Sequence, residues 1–185
     1  MGSGTVKMVD PTTLKIWTIG HSTRTIEEFL KLLIVNDIEV VADVRSYPGS
    51  RRYPHSNAKV LSESLIGRGI DYLLLKELGG RRRSRPDSPN TVWRNEAFRG
   101  YADYMETAGF KQAIDTLLRI ARTKRTVMMC AEAVWWRCHR SLISDYLKAS
   151  GLTVVHIIDV KTNVIHPFTA AARVETGKLA YGAAE

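Results

Sequence analysis

Apolar residues along the chain fall into short dense runs separated by amphipathic stretches. Leu14–Ile19 is such a run, closed by Gly20, and predicts a strand. Thr25-Ile26-Glu27-Glu28 then has capping-box form, with Thr25 as N-cap, and Ile26, Phe29, Leu30 and Leu33 continue at helical spacing. Glu39–Val44 predicts a second strand, rich in valine. Pro48, Gly49 and Pro54 make Arg45–Asn57 a loop, Ala58–Arg68 predicts a helix, and Ile70–Leu74 a third strand. Gly79–Asn95 is polar, basic and marked by Pro86 and Pro89, so a long surface loop is expected there. A helix over Phe98–Arg122 with a break near Gly109 follows, then a wholly apolar strand after Thr126, Thr126–Met129. Arg137–Ala149 predicts a helix with Leu142, Ile143, Tyr146 and Leu147 on one face and Gly151 as its C-cap. Thr153–Ile158 predicts a fifth strand, and no pattern dominates from there to Glu185.

Strands alternating with helices imply right-handed crossovers and a mostly parallel sheet flanked by helices. The expected fold class is therefore α/β, a Rossmann-like three-layer single domain over residues 13–185, with 1–12 as a flexible leader. The length of 185 residues, with 44% hydrophobic and 25% charged positions, fits one globular domain. No repeat or second domain is expected. No apolar run approaches a membrane span and the N-terminus lacks signal-peptide form, so a cytoplasmic protein without a membrane partner is the expectation.

Charge changes the picture. The formal net charge is +8, and between Arg45 and Arg99 stand twelve Lys and Arg against five Asp and Glu. That imbalance points to an anionic partner, a small phosphate compound, nucleotide or nucleic acid, against the plainer alternative of a solvated basic surface. Arg81, Arg82, Arg83 and Arg85 in the long loop are the candidates for phosphate contact, with Trp93, Tyr53 or the Trp135-Trp136 pair to stack on bases.

In open parallel sheets ligands bind beyond the carboxyl ends of the strands. Gly20-His21-Ser22 follows the first predicted strand, Arg45 and Ser46–Arg52 the second, and Cys130-Ala131-Glu132 the fourth, leading on to Cys138-His139-Arg140. Asp43, inside a valine strand, needs a buried partner. Arg45, Ser50 and Arg51 together suit a carboxylate or phosphate, with Ser22 nearby, although an Asp43–Arg45 pair that only locks the loop is the competing reading. His21 is a candidate general base, or a loop anchor.

Cys130 is a candidate nucleophile or redox thiol, lowered in pKa by arginines and a helix N-terminus, with Glu132 as acid, base or orienter. Cys138, His139 and Arg140 are expected in the first turn of the following helix, where backbone N–H groups favour anions. The bland alternatives are a buried apolar Cys130, a core His139, and tryptophans that only cover the sheet end. No cofactor is required by these residues. A metal at Cys130, Cys138 and His139 is disfavoured, because the spacing matches no standard zinc pattern. The phosphatase pattern of Cys, five residues, Arg also fails, since Trp136 stands at the arginine position.

As a set, Thr18-Ile19-Gly20-His21-Ser22, Asp43-Val44-Arg45 with Pro48 and Ser50-Arg51, Leu78-Gly79-Gly80, and Cys130, Glu132, Cys138-His139-Arg140 resemble the family of the domain of unknown function DUF488. The motifs run from Thr18 to about Asp159. The resemblance implies a compact Rossmann-like α/β domain and no established activity. Val134-Trp135-Trp136 departs from the more polar stretch expected before Cys138, which raises an aromatic contact such as stacking on a base. Two functions are expected to compete, an enzyme on an anionic substrate using Cys130, Glu132 and His21 and a nucleic-acid-binding module using the arginine loop, with a scaffold or regulatory subunit whose rim is only structural as a third.

Overall fold

The computed structural model describes residues 14–175 and 178–182. The expected leader, 1–12, lies outside the described residues. The chain runs β1 (Lys15–Gly20), α1 (Ile26–Val35), β2 (Val40–Asp43), α2 (Ala58–Ile66), β3 (Asp71–Leu74), α3 (Glu96–Met105), α4 (Ala108–Ala121), β4 (Thr126–Cys130), α5 (Arg140–Ala149), β5 (Thr153–Ile157), β6 (Asn163–Ile165), β7 (Arg173–Glu175) and β8 (Lys178–Ala180). The main sheet has the order β3-β2-β4-β1-β5-β6, all parallel except β6, which pairs antiparallel with β5. A separate β7-β8 pair completes the structure.

The pleat distributes side chains to two cores, making three layers. Trp17, Ile19, Val41, Val127 and Met129 face α1 and α2, meeting Phe29, Leu33, Leu61 and Leu65. Ile16, Ala42, Met128 and Cys130 face the other way, onto Tyr101, Phe110, Leu117, Leu142 and Ile143 of α3, α4 and α5. This alternation is what the period-two geometry of a strand produces when both faces are covered.

The chain leaves β1, moves outward through β2 to β3 with its helices on one face, then returns through β4 to β5 with its helices on the other. β2 and β4 are neighbours, but the segments leaving their carboxyl ends diverge to opposite faces. That divergence opens a crevice at the strand ends, as the switch point of a doubly wound sheet does.

Most predicted elements hold, with instructive differences. The capping box at Thr25 and Glu28 is formed in both directions. Gly151 takes φ +86 after α5, the left-handed position that terminates the helix. The expected break near Gly109 falls instead at Glu106–Thr107, where the Thr107 hydroxyl caps α4 by accepting from the Phe110 N–H. The helix expected from Arg137 begins at Arg140, because a short 3-10 turn, Trp135–Arg137, intervenes. Cys138 and His139 therefore precede the helix. The tail that shows no sequence pattern supplies β6, β7 and β8, whose strands are three residues long and too short for periodicity to register.

The Gly79–Asn95 segment has no helix or strand but is well anchored. The Asp103 carboxylate accepts from the Arg85 N–H at 2.8 Å, the Ser88 hydroxyl at 2.6 Å and the Asn90 side chain at 2.8 Å. No helix among the described residues is long and apolar enough to cross a membrane.

Gly20 ends β1 opposite Cys130, and a Cβ there would overlap the Glu132 carbonyl. Gly20→Ala should cost roughly 1–3 kcal/mol through overpacking. Urea unfolding of the variant against the wild type measures it.

Candidate functional site

Two strand ends build the walls of the crevice. At the end of β2, Asp43 is fully buried. Its carboxylate accepts from the Arg45 backbone N–H at 3.1 Å, Arg45 Nε at 2.8 Å, Arg45 Nη2 at 2.6 Å and the Tyr72 hydroxyl at 2.6 Å. Arg45 Nη1 then donates to His21 Nε2 at 3.1 Å, and His21 Nδ1 donates to the Ser22 carbonyl at 3.1 Å. Both ring nitrogens of His21 are committed. Burial first, then the neighbouring Arg45 charge, push its pKa down to about 4, so the ring is neutral near pH 7. Asp43, Arg45 and His21 thus stitch three loops together, and little of Arg45 is left to bind a ligand.

The second wall follows β4. Cys130 and Cys138 both line a cavity of about 360 Å³ together with Arg45, Arg81, Glu132 and His139. The Cys138 sulfur accepts from the Arg140 N–H at 3.5 Å and from Arg140 Nε at 3.4 Å, and His139 Nδ1 lies 3.6 Å away. His139 Nε2 donates to the Val44 carbonyl at 2.9 Å, so one proton is shared between His139 Nδ1 and the Cys138 sulfur. Cys138 is 2% exposed. Burial opposes its ionisation, but Cys130, His139 and Arg140 outweigh it and hold the Cys138 thiol well below the ordinary range. Cys130 is held well above that range by its neighbour Cys138 and by burial. The crevice therefore favours Cys138 over Cys130 as the ionised sulfur. The N-terminus of α5 adds positive potential at the same place.

Arg140 is 1% exposed and forms no ion pair with a carboxylate among the described residues. Its Nη2 donates to the Glu132 carbonyl at 2.5 Å and its Nη1 to Thr18 Oγ1 at 3.5 Å. From Thr18 a buried chain continues inward. Thr18 Oγ1 bonds His156 Nδ1 at 2.6 Å, His156 Nε2 bonds His166 Nδ1 at 2.8 Å, and His166 Nε2 bonds Asp145 Oδ1 at 3.0 Å. Asp145 also accepts from the Thr169 and Tyr181 hydroxyls at 2.6 and 2.9 Å. With neutral imidazoles every donor in the chain has one acceptor: Arg140 to Thr18, Thr18 to His156, His156 to His166, His166 to the carboxylate. Burial, then His166 and Arg140, push His156 down to about 2, which agrees with a neutral ring. Trp135 stacks on His156 at 4.3 Å between centroids and seals it.

Sequence reasoning gave no site role to Thr18, which it named only within a motif, and missed Asp145, His156 and His166. The available signal was a polar residue within an apolar strand, Thr18 after Ile16-Trp17 and His156 after Val154-Val155. Nothing local links Asp145 to His166.

The structure brings Arg45, Cys130, Glu132, Cys138 and His139 onto one crevice. Glu132 is exposed on its lip, with its carbonyl turned to Arg140. Arg81 stands over the exposed ring of Tyr47 at 5.3 Å, at the mouth. Ser50 is turned away, its hydroxyl accepting from the Tyr53 N–H at 3.0 Å, and Arg51 is exposed outside the lining residues. Ser22 carries φ 51 and serves the β1 turn, its N–H donating to the Ala131 carbonyl at 2.9 Å. Arg82 donates to the Gly79 and Glu77 carbonyls and lies over Tyr104, while Arg85 pairs with Glu106 at 3.0 Å. Gly79 and Gly80 are tight: a Cβ on Gly80 would come within 2.9 Å of His139 Nδ1.

Cys130, Cys138 and His139 offer ligand atoms within 4.8 Å of one another. That is one donor short of a closed tetrahedral site, and the Arg140 guanidinium already donates to one of the sulfurs.

A three-layer α/β domain with a cysteine-centred crevice at its strand ends is the class these features define. The chain belongs to the family described as domain of unknown function DUF488, whose profile matches residues 25–147. The match includes the β2 and β4 walls and leaves Thr18 to Ser22, His156 and His166 outside it. Among curated proteins and among solved structures, no match is found.

Thr18→Val should leave Arg140 Nη1 and His156 Nδ1 without partners and cost about 1–3 kcal/mol in urea unfolding, with Thr18→Ser close to wild type. The two depressed histidines also set a pH dependence. His21 and His156 stay neutral in the fold below pH 6.5, where the unfolded chain takes up protons. Stability is therefore full above about pH 6.5 and declines as the pH falls toward 4, read as a falling urea midpoint.

Proposed function

We propose that this protein is an enzyme that acts on an anionic substrate through a thiolate, and that Cys138 is its nucleophile. The observation that carries the reading is the buried Cys138 sulfur receiving the backbone and side-chain N–H groups of an Arg140 that has no carboxylate partner among the described residues. A buried guanidinium without a carboxylate is stabilised by a negative sulfur beside it, and the sulfur is activated by the same contact.

The remaining roles follow from position. His139, whose Nδ1 faces the sulfur, can accept or return the shared proton. Glu132 on the lip is available to a bound substrate as acid or base. Arg81 and Arg137 line the cavity without an ion-pair partner among the described residues and suit the substrate's negative charge. A nucleotide or nucleic-acid-like substrate would set a phosphate against these cations and a base near Tyr47. A binding module built on the arginine run has less support, since Arg82 and Arg85 are engaged within the protein.

Alkylation by iodoacetamide against pH, resolved by position in peptide mass spectrometry, tests the nucleophile. Cys138 should react with a midpoint well below the free-thiol value of about 8.5, and Cys130 should lag behind it at every pH. Arg140→Leu should return Cys138 to an ordinary midpoint. An ordinary midpoint in the wild type would remove the thiolate from the mechanism.

A further inference from the structure

Cys130 has no part in the scheme above, yet it lines the same cavity, with its sulfur within 4.8 Å of the Cys138 sulfur. Its place is set by the sheet: it ends β4 on the face that carries α5, and its side chain meets the segment that leads into that helix. The intervening turn is held by the His21 and Ser22 N–H groups, which donate to the Cys130 and Ala131 carbonyls at 3.0 and 2.9 Å. A second thiol against an activated sulfur is a chemical commitment, because any sulfur–sulfur bond formed at Cys138 is within its reach.

We infer that Cys130 is the resolving partner of Cys138, and that the crevice carries out thiol–disulfide exchange on an anionic disulfide. The inference rests on the thiolate reading and adds the reacting group of the substrate. In the first step the Cys138 thiolate attacks one sulfur of the substrate disulfide. The substrate S–S bond breaks, one thiolate leaves, and a mixed disulfide forms at Cys138. In the second step the Cys130 sulfur attacks the Cys138 sulfur as its proton passes to a released thiolate. The mixed disulfide breaks, the second substrate half leaves, and a Cys130–Cys138 disulfide forms. The substrate is reduced by two electrons to two thiols, and the cysteine pair is oxidised by the same two. An external thiol reductant restores the pair.

The groups around the two sulfurs suit this order of events. His139 and Arg140 face Cys138, the Glu132 N–H faces Cys130, and Arg81 and Arg137 face the cavity. Tyr101 of α3 packs against the His139 ring at 5.1 Å and keeps its own proton, with burial the largest cause. Cys130 stays protonated beside an ionised Cys138, so the attacking sulfur is the one in contact with the cations. Bridging requires the sulfurs to close from within 4.8 Å to about 2.05 Å.

The test is incubation of the full chain with glutathione disulfide, an anionic probe, followed by acid quench and intact mass. The wild type should lose two hydrogens and retain no glutathione. Cys130→Ser, and separately Cys130→Ala, should retain one glutathione at Cys138. Cystamine, a cationic disulfide, should react roughly tenfold more slowly or worse, and Arg81→Ala with Arg137→Ala should narrow that gap. A wild type that retains glutathione as Cys130→Ser does would overturn the resolving role while leaving the Cys138 thiolate in place. Equal rates with cystamine would overturn the anionic preference. No adduct on any variant, with an ordinary alkylation midpoint at Cys138, would bring down the thiolate reading and this inference with it.

Discussion

A guanidinium taken out of water needs its charge met at short range, and the rest of the crevice is arranged around how Arg140 meets that need. No carboxylate among the described residues reaches it. It is met by a carbonyl, a hydroxyl and a sulfur: Glu132, Thr18 and Cys138. The sulfur is the member of that set that can carry a full negative charge. Burial ordinarily holds a thiol protonated, and here it is opposed by neighbours that include a guanidinium equally removed from solvent, so the Cys138 thiol lies below its ordinary range.

The carboxylate that balances this region lies further in. Asp145 reaches Arg140 only through His166, His156 and Thr18, all buried and all hydrogen-bonded. A chain of that kind fixes directions as well as positions. The carboxylate sets one imidazole tautomer, that imidazole sets the next, and the last sets which way the Thr18 hydroxyl points. At the β2 wall the same economy holds on a smaller scale, where Asp43 holds Arg45 and Arg45 holds His21. Such groups are rigid supports. Arg81, Arg137 and Glu132, which line the cavity without an ion-pair partner among the described residues, stand on the loops between them.

The architecture explains why these networks meet. Reversal of the chain's path at β3 sends the segments after β2 and β4 to opposite faces of the sheet. Glycines then allow close approach: Gly20 against the Glu132 carbonyl, Gly80 against His139. Larger residues at either place would push the β4 wall away from its neighbours.

Much of the fold was legible from the chain alone, because its determinants are local. Apolar runs of strand length, a capping box at Thr25 and a left-handed Gly151 act over a few residues, and so their elements appear where the pattern puts them. The strand-end rule also grouped Arg45, Cys130 and Cys138, which line one cavity at the ends of β2 and β4. The division of labour within it was read differently from the sequence, which made Cys130 the candidate nucleophile and put Cys138 among the anion-binding residues. Cys130 and Cys138 look alike in a string of letters, and only the approach of Arg140 and His139 to one of them makes their acidities differ. Ser50 and Arg51 carry the right chemistry, but the turn after β2 points them elsewhere. The Asp145–His166–His156–Thr18 chain joins residues from α5, β5, β1 and the segment after β6, and side-chain contacts over such separations leave no periodic trace in the sequence. Secondary structure was encoded by neighbours along the chain; the difference in acidity between the two thiols is set by neighbours in space.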